Sequence, residues 1–249
     1  MTRSRLVALL SSLLLGLGLT TGLVAVQSPA QAAEPLRQLA GAGYHEPALG
    51  LCYDLSRRQA AKASATQDAV PCDAPHTLMT VKVKRLSKPV RWSSVYNRIA
   101  TPCLEAVYDA VGGAKYAGMS AYDLWWFMPT KTERAKGARW VRCDIGLRKG
   151  TSGLGALSTS VALGTPPFAD ALTRCLVGRD LNYTTCQKSH TYIAKTVFKL
   201  ERRAKTREQY QRQGRRCGKV LNARRYAFDG PSEFEWKAGN HFMVCFRPQ

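Results

Sequence analysis

Eight cysteines fall into two sets of four that share one spacing script, and this duplication constrains the fold more than any other feature of the chain. Cys52, Cys72, Cys103 and Cys143 form the first set; Cys175, Cys186, Cys217 and Cys245 form the second. Cys72 stands four residues before His76, and Cys186 four before His190. A threonine follows each histidine, and the next cysteine comes 27 residues after it both times. The copies match there at a constant offset of 114. They match again at an offset of 102, where Pro129, Thr130, Glu133, Gly137, Trp140 and Cys143 answer Pro231, Ser232, Glu235, Gly239, Phe242 and Cys245. The chain therefore reads as two copies of one unit.

Residues 1–32 read as an export signal. Arg3 and Arg5 supply the charged start, Leu6 to Val26 is almost wholly apolar, and Ala30-Gln31-Ala32 is a small-x-small cleavage site. The rival reading is an uncleaved N-terminal membrane anchor, because about 20 apolar residues suffice to span a bilayer. Ala33-Glu34-Pro35 after the site favours processing. The expected layout is a signal peptide at 1–32, a disordered mature start at 33–43, a first repeat at 44–149, a Gly/Ser/Pro linker at 150–167 and a second repeat at 168–249.

Without the leader the chain keeps 35 Lys and Arg against 17 Asp and Glu, a formal charge of +18, and both copies are basic. A field of that size draws in anionic partners and is screened by salt beyond about 8 to 10 Å. Outside a cell the expected partners are anionic cell-wall polymers or anionic lipid headgroups. Specific nucleic-acid binding is disfavoured by export and by the lack of a readable motif.

An exported chain with an even, repeated cysteine count reads as a disulfide framework. Eight cysteines permit 105 pairings in principle, but a duplicated unit is expected to pair within itself and in the same way twice. The expected bridges are Cys52–Cys72, Cys103–Cys143, Cys175–Cys186 and Cys217–Cys245, since the third cysteine of each set lies on a helix and the fourth on a strand beneath it. Zinc is the competing use, because Cys-x3-His occurs twice. Zinc sites usually bring ligand pairs such as Cys-x2-Cys or His-x3-His, and neither is present, so neither a metal nor a cofactor is expected.

The expected fold class is α+β: two disulfide-stapled repeats, each a small antiparallel sheet with one helix, run as strand, strand, helix, strand, turn, strand. Val81 and Val83 alternate with Lys82 and Lys84, which predicts a strand with one wet face. In the matching segment Tyr192, Ala194, Thr196, Phe198 and Leu200 share the other parity, so one of the two strands is expected to be buried on both faces or shifted in register. Thr101 and Pro102 suit a helix start, with Cys103, Ala106, Val107, Ala110 and Val111 as its apolar stripe and Gly112-Gly113 as its stop. In the second copy Thr206 and Gln209 suggest a capping box, with Tyr210, Cys217, Val220 and Leu221 as the stripe. Thr130 with Glu133, and Ser232 with Glu235, predict two further capping boxes ended by Gly137 and Gly239.

Cys72-Asp-Ala-Pro-His76-Thr77, the helical Cys103 and the Pro-Ser/Thr to Gly to aromatic-x-x-Cys ending resemble the septum formation domain of exported or membrane-anchored bacterial proteins. The resemblance covers most of residues 49–149 and 172–247. It implies an extracytoplasmic α+β module linked with cell division, and it brings no defined catalytic activity. The positions matching its motif are Cys72, His76, Cys103 and Cys143, with Cys186, His190, Cys217 and Cys245. The second copy departs from it in having Gln187-Lys188-Ser189 for Asp73-Ala74-Pro75 and a shorter first cysteine loop.

No catalytic motif is legible. Gly150-Thr151-Ser152-Gly153 does not complete a nucleophile elbow, and Asp73, Asp144 and Glu133 are too scattered to nominate as an acid and base. His76 and His190 read as turn-fixing imidazoles bonded to backbone; the alternative makes one of them part of a cell-wall-acting enzyme site. Trp125, Trp126 and Phe127 read as a core strand, with stacking on sugars as the alternative. The candidate ligand surface comprises His76 and His190, then Lys82, Lys84 and Arg85 with Lys88 and Arg91 beyond them, and Arg212, Arg215, Arg216 and Lys219 on the second helix. The expected function is that of a secreted, basic, non-enzymatic envelope module.

Overall fold

Both repeats build the same antiparallel sheet from strands in the same order, and each sheet is tied to its helix by a bridge that enters the central strand. The computed structural model describes residues 44–150 and 153–249. Residues 1–43, where a signal peptide and a mature start are expected, and residues 151–152 of the expected linker lie outside the described residues.

The first repeat runs β1 (Cys52–Tyr53), α1 (Arg57–Ala60), β2 (Leu78–Arg85), a 3-10 turn at Trp92–Ser94, α2 (Val95–Ala110), α3 (Ala114–Ala117), β3 (Tyr122–Phe127), α4 (Lys131–Ala135), β4 (Trp140–Lys149) and β5 (Gly153–Gly155). The second runs β6 (Arg174–Val177), β7 (Asn182–Thr185), β8 (Tyr192–Lys199), α5 (Arg207–Gly214), α6 (Arg216–Val220), β9 (Ala227–Asp229), α7 (Glu233–Lys237) and β10 (Phe242–Pro248). The sheets have the orders β1-β2-β4-β3 and β6-β8-β10-β9; β5 is added to the first through β4, and β7 to the second through β6. The fold is thus α+β, with two disulfide-stapled antiparallel sheets.

The ladders coincide residue for residue. Thr80 pairs with Asp144 and Lys82 with Cys143, which leaves Val81 as an extra residue. Ala194 pairs with Phe246 and Thr196 with Cys245, which leaves Lys195 extra. Val81 and Lys195 are related by the offset of 114, so one β-bulge is present twice. A bulge reverses which parity faces the core part-way along a strand. This corrects the expected register difference: the registers are the same, and simple alternation fails because it is read across the bulge.

The four bridges join Cys52 to Cys72, Cys103 to Cys143, Cys175 to Cys186 and Cys217 to Cys245, with Cα separations of 5.2 to 5.5 Å. Cys103 and Cys143 are wholly buried beneath Ile99, Val95 and Val141; Cys217 and Cys245 are wholly buried with Met243 and Leu200. Such a framework fits an oxidising, extracytoplasmic setting. Among the described residues no helix is long and apolar enough to cross a membrane.

The helix start at Thr101-Pro102 is not observed. α2 begins at Val95 and carries Pro102 in its interior, because Val95, Ile99 and Ala100 extend the buried stripe about two turns upstream. The proline lacks an N–H for the carbonyl of residue 98. In the second repeat the helix divides at the equivalent place, α5 ending at Gly214 and α6 starting at Arg216. Val220, expected in the stripe, is 48% exposed at the last residue of α6. Thr206 accepts from Gln209 N, but the Gln209 side chain reaches Lys205 N rather than closing the box. The Thr130–Glu133 and Ser232–Glu235 boxes are both complete, and Gly137 and Gly239 follow at φ 97° and 88°. Trp125 and Phe127 are core residues, and Trp126 packs half-buried beside Tyr96.

The segment expected as a Gly/Ser/Pro linker at 150–167 is, in its described part, held against the first repeat. β5 pairs with β4, Leu157 N donates to His76 O at 2.9 Å, Leu163 N to Val111 O at 2.9 Å, and Val161 is buried. The repeats then meet directly: Ala121 N donates to Leu172 O and Arg174 N to Met119 O, both at 2.7 Å, and Tyr96 meets Phe234 edge-on at 5.4 Å. They form one compact unit.

By loop entropy, Cys103→Ala with Cys143→Ala should lower the unfolding free energy by roughly 3 to 4 kcal/mol, read as a lower denaturant midpoint. An unchanged midpoint would mean that this bridge does not close the first repeat.

Candidate functional site

The most unusual group in the molecule is a charged pair inside the first sheet. Arg142 and Asp144 flank Cys143 on β4 with 4% and 0% exposure, and Arg142 Nε lies 2.9 Å from Asp144 Oδ2. The N–H direction misses the oxygen, so this is an ion pair without a hydrogen bond, and Nη2 is likewise unpartnered. Thr80 Oγ1 donates to Asp144 Oδ1 at 3.0 Å. The guanidinium lies 3.6 Å from the Tyr53 ring centroid and 4.7 Å from that of Phe127. Burial pushes the Asp144 carboxyl up to about 6 from its ordinary 3.8, against the pull of Arg142 and the Thr80 bond.

The second repeat has the same backbone and none of this. The positions equivalent to Thr80, Arg142, Asp144 and Tyr53 hold Ala194, Val244, Phe246 and Leu176, all buried. Its own polar group stands elsewhere: Asp229 accepts from Tyr183 at 2.6 Å and pairs with Arg174 at 3.5 Å. The first repeat has Phe127, Ala69 and Leu51 at those places, packed around Leu78 and Tyr53. Replacing a buried ion pair by well-packed apolar side chains is often neutral or stabilising. The fold therefore does not require Arg142 and Asp144, and their retention in one repeat calls for another reason.

A cleft of about 320 Å³ opens over Arg142, lined by Tyr53, Thr66, Gln67, Asp68, Thr130, Glu133 and Trp140 together with His45, Pro47 and Ala65. Glu133 is committed to its cap, bonding Thr130 N and Oγ1 at 2.7 Å each, and Trp140 Nε1 donates to Tyr44 O at 3.1 Å. Of the acids too scattered in sequence to pair, Asp144 is wholly buried and Asp73 is exposed. Arg142 and its cleft were missed. The duplicated closing strand carries the signal: Trp-Val-Arg-Cys-Asp answers Phe-Met-Val-Cys-Phe, so charge replaces apolar residues beside a buried cysteine.

The two histidines occupy one turn built twice. His76 Nδ1 lies 2.9 Å from Ala74 O, and His190 Nδ1 2.7 Å from Lys188 O. Thr77 N then donates to Tyr53 O, and Thr191 N to Leu176 O, so the His-Thr pair anchors the incoming strand to the first one. His76 is 2% exposed; His190 is half-buried. They serve separate repeats, and neither lines the cleft over Arg142. Cys175, Cys186 and His190 place their ligand atoms within 4.8 Å of one another, but both sulfurs belong to one bridge and offer no thiolate to a metal.

The basic residues divide between two surfaces. Lys82 and Lys84 are half-buried on β2, and Arg85 is paired to Glu46 at 2.6 Å. Arg212, Arg215, Arg216 and Lys219 come together on the exposed side of α5 and α6. Arg212 meets Glu208 at 3.7 Å and Arg216 covers Phe198 at 4.5 Å. Among the described residues Arg215 and Lys219 have no carboxylate partner. At the start of α5 an open cleft of about 560 Å³ is lined by Arg202, Arg203, Lys205, Gln209, Glu201 and Trp236. In the first repeat the residue equivalent to Trp236 is Arg134, stacked on Trp92 at 5.0 Å.

Compared with models of protein families, with curated proteins and with solved structures, the chain matches none of them.

Two outcomes follow from this geometry. His76→Ala removes a buried, bonded ring and should lower Tm clearly more than His190→Ala, whose ring is half in water; equal melting of the two variants would contradict the turn-fixing role of His76. Because Asp144 has a folded pKa above its unfolded one, its protonation stabilises the fold. That contribution is fully present below about pH 4 and is lost as pH rises through about 6. Between pH 7 and pH 4 the Tm of the wild type should therefore rise relative to that of Asp144→Asn; a pH-independent difference would show that burial does not dominate Asp144.

Proposed function

We propose that this chain is an exported, non-enzymatic cell-envelope module that holds anionic wall or membrane material against the basic face of its second repeat, in the manner implied by the resemblance to septum formation domains. The observation that carries this reading is the row Arg212, Arg215 and Lys219 along α5 and α6, continuous in sequence with the Arg202, Arg203 and Lys205 cleft over Trp236. Cations one helical turn apart, exposed and with little acidic compensation, present a strip suited to a polymer with repeated negative charge. Trp236, half-buried on His241 at 4.3 Å, adds an aromatic surface beside that strip. The bridges support export, since they need an oxidising compartment to form. The enzymatic alternative needs His76 or His190 at a reacting centre; Nδ1 of each is bonded within its turn, and neither ring lines the cleft over Arg142 or the one over Trp236.

Retention on purified cell walls should fall steeply with salt, and should fall again when the anionic wall polymers are stripped. Arg212→Glu with Arg215→Glu and Lys219→Glu, all exposed, should weaken it about tenfold or more while leaving Tm within a few degrees. Retention that ignores salt, polymer removal and the charge reversal would overturn this reading, and release of wall fragments during the assay would replace it with an enzymatic one.

A further inference from the structure

Where the first repeat stacks Arg134 over Trp92 at 5.0 Å, the second has the open cleft over Trp236. Trp92 and Thr206 correspond at the offset of 114, and Arg134 and Trp236 at 102. Trp92, Val90 and Met128 pack against the core of the first repeat, so that place is filled by its own side chains. In the second repeat Thr206, a smaller residue, caps α5, and a space of about 560 Å³ lies open. Trp236 forms one wall; it packs on Leu200 and Met243 and stacks on His241 at 4.3 Å. The scaffold does not require the opening, and the polar groups around it are within reach of solvent: Arg202, Lys205 and Gln209 are all exposed. Among the described residues Arg202 and Lys205 have no carboxylate partner, while Arg203 meets Glu233 at 3.7 Å. Glu201 is the single carboxylate of the lining, and the balance stays positive even with Glu233 set against Arg203. Gln209 turns its carbonyl oxygen to Lys205 N at 2.9 Å, which leaves its NH2 group for a ligand.

Resting on the reading of the basic face above, we propose that this cleft takes one sugar phosphate unit of the wall polymer, its ring against Trp236 and its phosphate on Arg202 and Lys205. An indole offers a flat apolar surface to the C–H groups of a sugar ring. The space of about 560 Å³ lies within the range of small-molecule clefts and admits a unit of this size. A tetrahedral phosphate presents oxygens to a guanidinium fork and to an ammonium at once, whereas the two coplanar oxygens of a carboxylate match the fork alone. Gln209 donates its NH2 group to a ring hydroxyl. Arg212, Arg215 and Lys219 continue from the cleft along α5 and α6, which suits a chain that runs on beyond the bound unit rather than a lone headgroup.

The experiment titrates the intact oxidised protein at matched ionic strength with glucose 6-phosphate, inorganic phosphate, glucuronate and AMP, followed by amide shifts and by the indole N–H signals of its 5 tryptophans. Saturable shifts at Trp236 and residues 202–209 are expected, tightest with glucose 6-phosphate. Arg202→Gln with Lys205→Gln, both at exposed positions, should weaken its binding about tenfold. Trp236→Ala should reduce its affinity to that of inorganic phosphate and lower retention on walls; Trp236→Arg, which restores the residue of the first repeat, should do the same. Vesicles of equal charge made with phosphatidylinositol or phosphatidylglycerol should retain the protein alike, and a preference for the inositol lipid would overturn the assignment to a wall polymer. Inorganic phosphate binding as tightly as glucose 6-phosphate would remove the role of the ring, and tighter binding of glucuronate or AMP would replace the ligand class. Wall retention that falls with Arg212→Glu, Arg215→Glu and Lys219→Glu, without any saturable shift at Trp236, would overturn this inference alone; retention indifferent to both sets of variants would overturn the reading of the basic face.

Discussion

The bridge from the helix into the central strand is the constraint on which the rest of each repeat depends. Cys103–Cys143 and Cys217–Cys245 are fully buried and run between α2 or α6 and β4 or β10, an inner strand of each sheet. With the helix pinned there, the doubled bulge opposite the strand cysteine, the capped turn that feeds the strand and the His-Thr anchor of the first loop take the same positions in both copies. A repeat of this size has a small core, and a covalent tie between its two layers lowers the entropy of the alternatives that a small core cannot exclude by packing alone.

Duplication also separates what the fold needs from what it merely carries. Features present in both copies, namely the bulge, the bridges, the two closing capping boxes and the His-Thr turn, belong to the architecture. Features present once are free to serve something else. The buried Arg142–Asp144 pair is of the second kind, since Val244 and Phe246 fill its place in an equivalent sheet. So is the basic strip on α5 and α6, whose counterpart on α2 carries Arg98, Pro102 and Glu105 at the positions of Arg212, Arg216 and Lys219. One scaffold used twice thus carries a buried ion pair in one copy and an exposed basic strip in the other.

Much of the architecture was legible in the residues because its determinants are local or covalent. The cysteine script carried the pairing, and Thr130 with Glu133 and Ser232 with Glu235 carried the caps. The start of α2 was not legible, because Pro102 favours a first-turn position on its own terms, and only packing of Val95 and Ile99 under the bridge overrides that preference. The shared register was hidden by the bulge, which breaks alternation without any glycine or proline to mark it. The Arg142 site was hidden for a different reason. Its members, Tyr53, Thr80, Arg142 and Asp144, come from three strands and meet only when the sheet forms, so no spacing in the sequence announces them; the mismatch with the second copy was the one available trace.

The central claim, that two copies of one unit are each closed on themselves by sulfur, is tested most directly by proteolytic peptide mapping of the oxidised protein without reductant. Four linked peptide pairs are expected, two confined to residues 44–150 and two to residues 153–249, with no free thiol. A peptide joining a cysteine of the first set to one of the second, or alkylation of any of the eight before reduction, would contradict it.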